Sequence, residues 1–432
     1  MKLSQILNSK QIRTAAVGSL AIKFLSALFA LINGILMANM LSVKGFGVYV
    51  LAFTTITIVS VPVSLGLPFL ITRYVSKYEI ANNLAAIKGL LIRSNQLVVI
   101  TSLAAVLLAF VAYLIWWNIY PSETVATFWY SFILLPLLVF GSLRAAALRG
   151  MKLVILGQMP DTFLRNFFLT IPLATIFFLG EELTPSIAML YHCAAAALAF
   201  AVGYYFLYKK LLGRLVKIKA IFFNRVWMRD ALPFSVTSGV QIIKSKVITY
   251  VLAIFGSVEA VAIFDVALRG ASLVSFTMDA MNSAISPYIS SAFEQDQRIT
   301  LERIVKRTAR IVFVFSIPVA LVLVIGGEYV LALLFGEEYV SSYVPLVILC
   351  VGQVINALVG PIAAVLNMTG NQSYLSRNQI QMMVTSILLS IPLIHILNVT
   401  GAALVYSAVI ILQNLLLLYY IRKKLKINTT IF

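Results

Sequence analysis

The chain has 432 residues, of which 61% are hydrophobic and 11% charged, with a mean hydropathy of +0.99 and a net charge of +18. An ordinary soluble domain carries about 25% charged residues, so this balance excludes a soluble catalytic domain of any size. Two cysteines, Cys193 and Cys350, and two histidines, His192 and His395, sit in apolar stretches and suggest neither a disulfide framework nor a metal site.

Apolar stretches recur along the whole chain at about 20 residues, the length a helix needs to cross ~30 Å of hydrocarbon. The start, MKLSQILNSKQIR, is polar and basic, and the stretch after it (14–38) is too long for the core of a signal peptide. It reads as the first retained helix. Further spans follow at 46–71, 90–115, 126–147, 153–179, 186–208, 231–256, 260–288, 305–326, 344–366, 378–398 and 401–420. The expected fold is therefore all-α, a polytopic membrane protein of about twelve helices. The prolines within or near these spans, Pro62, Pro68, Pro172 and Pro318, are read as kinks, as is Pro160 in QMPD (158–161).

Lys and Arg choose alternate connecting segments. One set holds Lys2, Lys10 and Arg13, then Arg73 to Arg93, then Arg144, Arg149 and Lys152, then Lys209 to Arg229, and later Arg298 to Arg310, Arg377 and Arg422 to Lys426. The other set holds Lys44 and the acids Glu123, Glu181, Glu182, Glu259, Glu328, Glu337 and Glu338. By the positive-inside rule both termini are expected in the cytoplasm. The same bias accounts for the high net charge, so no nucleic-acid partner is expected. Trp116, Trp117 and Trp129 are expected at the outer interface and Trp227 at the inner one.

The largest inside segment, 209–230, is expected to be a basic cytoplasmic linker between an N-terminal six-helix bundle (1–208) and a C-terminal one (231–432). The halves are weakly alike. LSVKGFGVY (41–49) enters the second span as GSVEAVAIF (256–264) enters the eighth, and ALRGMK (147–152) leaves the fourth as LNMTGNQ (366–372) leaves the tenth. Both halves start on the same side, which implies a pseudo-twofold along the membrane normal.

Charges inside the spans are costly, at ~3 kcal/mol each on insertion scales. Five basic and three acidic residues remain there: Lys23, Arg165, Lys244, Lys246, Arg269, Asp161, Asp265 and Asp279. On the eighth span Asp265, Arg269, Ser272, Asp279 and Ser283 fall on one helical stripe, and the first repeats the pattern with Ser19, Lys23, Ser26 and Asn33. The seventh carries Ser238, Gln241, Ser245 and Thr249 along one face. Asp161–Arg165 and Asp265–Arg269 are both spaced to neutralise each other within one helix. Lys23, Lys244 and Lys246 have no acid at that spacing. The excess of cations is expected to line a central cavity and to be compensated by an anionic cargo. No phosphate loop or metal-ligand cluster is present in the sequence, and no cofactor is expected.

LSVKGFGVYVLAF (41–53), SLGLPFLITRYVS (64–76), LNMTGNQ (366–372) and GAALVYSAVIILQNLLLLYYIRKKLKI (401–427) resemble the polysaccharide transporter family, the lipid-linked oligosaccharide (O-antigen type) flippases. These belong to the superfamily that includes the multidrug and toxic-compound extrusion transporters, and the resemblance covers essentially the whole chain. It implies a flippase, not an enzyme, in the bacterial inner membrane, moving an undecaprenyl-pyrophosphate-linked glycan to the outer leaflet by alternating access driven by H+ or Na+. The implied partners are that lipid-linked cargo, membrane lipids, and the polymerase and glycosyltransferases of surface polysaccharide synthesis. Lys23, Lys244, Lys246, Arg269 and Arg165 match the cationic cavity such flippases use for pyrophosphate, and Asp265, Asp279 and Asp161 are the ion-coupling candidates. A small-molecule exporter of the same fold, and a membrane-embedded polymerase or scaffold, stay open as alternatives.

Overall fold

The computed structural model describes residues 10–116, 118–425 and 427–431, without the side chains of 10–17, 230, 232–234, 236–238, 241, 283, 284 and 287. Helices follow one another with short connections: α1 (Lys10–Met40), α2 (Val43–Ser64), α3 (Leu67–Ile80), α4 (Leu84–Trp116), α5 (Ser122–Gly150), α6 (Val154–Leu179) and α7 (Pro185–Leu215). Then come α8 (Asn224–Phe255), α9 (Val258–Glu294), α10 (Arg298–Ile325), α11 (Gly327–Phe335), α12 (Tyr343–Val359), α13 (Ile362–Met368) and α14 (Gln372–Lys424). There is no strand among the described residues, and ten of their helices are long and apolar enough to cross a membrane. The last of the ten, α14, is two helices merged across Asn398 (φ 50°, ψ −124°), where the eleventh and twelfth spans were expected to meet.

One expected boundary moves. The second span does not run to residue 71, because Leu65 and Gly66 both adopt left-handed φ (49° and 67°) and the chain restarts with Pro68 in the first turn of α3. A proline there has no N–H to give to a continuing helix and is preset for a new one.

The weak internal likeness has a physical counterpart. Ser42 caps α2, its Oγ accepting from Gly45 N at 3.1 Å, and Ser257 caps α9, its Oγ accepting from Ala260 N at 3.1 Å. The shared Ser-Val pair is thus the same capping device at the start of corresponding spans.

The chain divides into two compact units. The first is Ala21–Ile243; the second is Lys244–Phe432 with the chain up to Leu20. In the first, α5 is central and packs on α7; Ala145, Ala146 and Ala147 of α5 are buried, as are Ala195, Ala196 and Ala199 of α7. Small residues let helices approach closely where lipid removes the hydrophobic drive to associate. Segment 209–230 is fastened to this unit. Lys88 Nζ donates to the carbonyls of Val216 (3.1 Å) and Ile218 (2.8 Å), Ile221 N donates to Ala85 O (3.0 Å), and Arg214 pairs with Glu79 at 2.9 Å. Trp227, expected at the inner interface, is buried at 3% exposure and donates to Tyr78 Oη.

In the second unit, serines join the helices: Ser316 Oγ donates to Val274 O, Ser342 Oγ to Ile263 O and Ser407 Oγ to Ile348 O. The tail after α14 also packs within it. Thr429 is fully buried and donates to Val359 O, and Arg310 Nε donates to Ile431 O at 3.0 Å.

Candidate functional site: polar clusters within the two units

The first unit holds an ion pair between helices that the sequence reading did not foresee. Arg144 Nη2 on α5 lies 2.7 Å from Asp161 Oδ1 on α6, and Arg144 Nη1 also donates to the carbonyls of Ala199 and Phe200 on α7. Arg144 is therefore a buried helix residue, 3% exposed, and not part of the inside connecting segment to which its neighbours assigned it. Two glycines make the room. A Cβ at Gly203 would sit 1.8 Å from Arg144 Nη1, and one at Gly141 would sit 2.6 Å from Asp161 Oδ1.

The expected Asp161–Arg165 pair does not form. Pro160–Leu164 is a π turn, which closes at i→i+5, so residues four apart no longer stack. The expected proline kink is thus a local change of helix type that hands Asp161 to α5. Arg165 remains within electrostatic reach of Asp161 and of Tyr49, with its Nε buried and without a hydrogen-bond partner among the described residues. Nearby, Tyr49 Oη and His192 Nδ1 are 2.8 Å apart, and Phe53 stacks on the imidazole with ring centroids 5.0 Å apart. His192 Nε2 and Asp161 Oδ2 also lack a hydrogen-bond partner among the described residues.

The polar stripe on α1 divides into two roles. Ser26 Oγ donates to Thr162 O, Asn33 Nδ2 donates to Asn166 O, and Thr170 Oγ1 donates to Asn33 Oδ1, so Ser26 and Asn33 fasten α1 to α6. A polar group in a membrane helix is well satisfied by a neighbouring helix. Lys23, on the same stripe, is exposed.

In the second unit, Arg269 Nε donates to Asp265 Oδ2 at 2.6 Å, the i,i+4 pair that the spacing allowed. Both side chains are half-buried. Lys244 reaches across to α14, where its Nζ donates to Gln413 Oε1. The next residue, Asn414, donates from Nδ2 to Asn356 Oδ1 on α12 at 2.8 Å. Lys246 is half-buried and Asp279 exposed. Ser272 turns back to the carbonyl of Arg269, and Thr249 is buried. The side chains of Ser238, Gln241 and Ser283 lie outside the described residues.

The candidate residues thus fall into two sets. Asp161, Arg165 and Lys23 belong to the first unit, and Lys244, Lys246, Asp265, Arg269 and Asp279 to the second. The sequence reading missed Arg144, Gln413, Asn414 and Asn356. The available signal was their polarity inside apolar runs, LRAAALRG for Arg144 and VIILQNLLLL for the amide pair.

Comparison with known proteins points one way. A family model described as polysaccharide biosynthesis protein matches residues 16–293, and the MatE model matches residues 233–396. An inward-facing multidrug resistance MATE family transporter of the MOP superfamily superposes with a TM-score of 0.76 at 15% identity, covering 95% of this chain and 98% of that one. The lipid II flippase MurJ, in an inward closed conformation, superposes at 0.71 and 15% identity, covering 94% and 87%. A MOP superfamily transporter from Pyrococcus furiosus, described as having a binding pocket of reverse polarity, gives 0.68 and 15%, covering 96% of each chain. No curated protein matches the sequence. At such identities the likeness is one of fold, and the fold is that of multi-pass membrane transporters.

Proposed function

The chain belongs to the polysaccharide biosynthesis protein family, and from that premise we propose that it is a flippase for an undecaprenyl-pyrophosphate-linked oligosaccharide. It moves this cargo from the inner to the outer leaflet of the bacterial cytoplasmic membrane, both termini being cytoplasmic, by alternating access between its N-terminal (1–208) and C-terminal (231–432) halves. The observation that carries the reading is Lys244. Its ammonium, in a stretch expected from the sequence to span the membrane, is met by the neutral amide of Gln413, and no carboxylate among the described residues pairs with it. Such a cation calls for an anionic partner from elsewhere, and a pyrophosphate is one.

Roles follow from how each charge is already engaged. Lys244 and Arg165 hold the pyrophosphate within the second and first units, and the exposed Lys23 and half-buried Lys246 attract it along the way. Arg269 enters the pathway as half of a pair with Asp265. Asp279, exposed on α9, and the paired Asp161 and Asp265 are the coupling carboxylates for H+ or Na+.

The test is translocation in proteoliposomes. Protein reconstituted with a lipid-linked oligosaccharide should expose the glycan to a membrane-impermeant oxidant on the far leaflet under an ion gradient. Lys244→Gln should remove that exposure. Translocation of organic cations without the glycan would instead establish the small-molecule exporter, and translocation of neither would favour the polymerase or scaffold.

A further inference from the structure

The segment expected to be a basic cytoplasmic linker shapes a cavity. Because Lys88 holds the carbonyls of Val216 and Ile218, and because Gly89 lets Ile221 O approach to where a Cβ would be 1.9 Å away, the end of α7 stands beside the cytoplasmic part of α4 at a fixed separation. Between them lies a lateral cavity of about 870 Å³. Its polar lining is Lys88, Arg93, Asn95 and Gln96, and its apolar walls include Leu91, Ile100, Leu212 and Leu215. No acidic side chain is among its described lining residues. Arg93 is exposed, and its Nη1 bonds only to Gln96 Oε1, at 3.2 Å, among the described residues.

The cavity is continuous with a stripe on α4. Arg93, Gln96, Ile100, Leu103, Leu107 and Val111 follow at three- and four-residue steps, which places them on one face of the helix. Ile100, Leu103, Leu107 and Val111 are each more than half exposed (63%, 58%, 56% and 54%). From Ile100 to Val111 the stripe rises about 16 Å at 1.5 Å per residue, roughly one leaflet of a ~30 Å hydrocarbon core. A guanidinium and amides at one end, then an exposed apolar track of one-leaflet length, have the outline of a phospholipid whose headgroup is anionic.

We infer that this cavity between α4 and the end of α7 binds an anionic glycerophospholipid of the inner leaflet, its phosphate on Arg93 and its acyl chain along Ile100 to Val111. Arg93 offers the phosphate paired donors, which a lysine would replace with a point charge. The positive charge of Lys88, spent on carbonyls, adds attraction without a contact. This site lies within the first unit and stands independently of what the protein translocates.

Binding is read from lipid retained through detergent exchange by native mass spectrometry, and from the unfolding midpoint in nanodiscs of phosphatidylcholine with and without phosphatidylglycerol. The wild-type chain should retain phosphatidylglycerol over phosphatidylcholine and unfold at a higher temperature with it. Arg93→Gln should weaken retention by about tenfold, as loss of one charge-assisted contact does, and Leu212→Trp, which fills the cavity, should do the same. Arg93→Lys should keep part of it. Arg303→Gln, the same loss of charge on the exposed face of α10, should change nothing. Unaltered retention in both Arg93→Gln and Leu212→Trp overturns the inference, as does an equal loss in Arg303→Gln, which would mean diffuse charge attraction. Retention of undecaprenyl pyrophosphate with no preference for phosphatidylglycerol also overturns it and gives the cavity to the cargo.

Discussion

Arg144 and Asp161 meet at 2.7 Å between α5 and α6, and the guanidinium lies where the Cβ of any residue but glycine at position 203 would be. The pair is asymmetric. The Arg144 side chain is 2% exposed and that of Asp161 32%, so removing the acid strands a buried cation, while removing the base leaves a carboxylate within reach of water. Asp161→Ala should therefore cost more stability, about 3–5 kcal/mol, than Arg144→Leu. Gly203→Ala should cost about 1–3 kcal/mol by overpacking while leaving both charges in place. Thermal unfolding of the purified protein ranks the three, and equal effects of Asp161→Ala and Arg144→Leu would contradict the asymmetry.

Lys244 can be tested by changing its partner. Gln413→Glu keeps the shape of the acceptor and supplies a carboxylate, so the ammonium no longer needs an outside anion. Export should fall to the level of Lys244→Gln, with the protein still accumulating in the membrane. Gln413→Ala, which leaves the lysine without the amide, should retain more export than Gln413→Glu.

The Asp265–Arg269 pair gives a different pattern. Either single change to alanine leaves one half-buried charge without its 2.6 Å partner and should reduce export sharply. The double change Asp265→Ala with Arg269→Ala should recover much of it if the pair is structural. No recovery in the double variant would place Arg269 directly on the cargo.

Orientation can be read with thiol labels, since Cys193 and Cys350 are buried and should stay silent. Glu181→Cys and Glu337→Cys occupy exposed positions and should react with an impermeant maleimide from outside the cell. Cysteine at Lys210, also exposed, should react only after the membrane is opened.

The helices were legible because a run of about 20 apolar residues has few other uses, and even the break near Asn398 showed as a gap between two runs. What the sequence hid was which polar residue meets which. Arg144 stands six residues from the end of α5 among other basic residues, so its count in a connecting segment was natural. Gly203, distant in sequence, is what shows that it is enclosed. Ser26 and Asn33 share a stripe with Lys23, and periodicity cannot say that two of the three face a helix. The Lys244–Gln413 contact spans 169 positions, beyond what any local pattern carries.

The π turn at Pro160–Leu164 fixes a phase. One residue more than an α-helix would use separates Asp161 from the part of α6 that follows, and each α-helical residue turns the chain by about 100°. Removing a single residue from this turn would restore regular winding and swing everything beyond it by that angle. Asn166 and Thr170 would then leave Asn33, and α1 would lose its fastening to α6. Length here is as specific as side-chain identity: in this one turn a deletion of one residue is a rotation of more than a quarter turn, about 100°, and it would uncouple two spans without changing any residue that joins them.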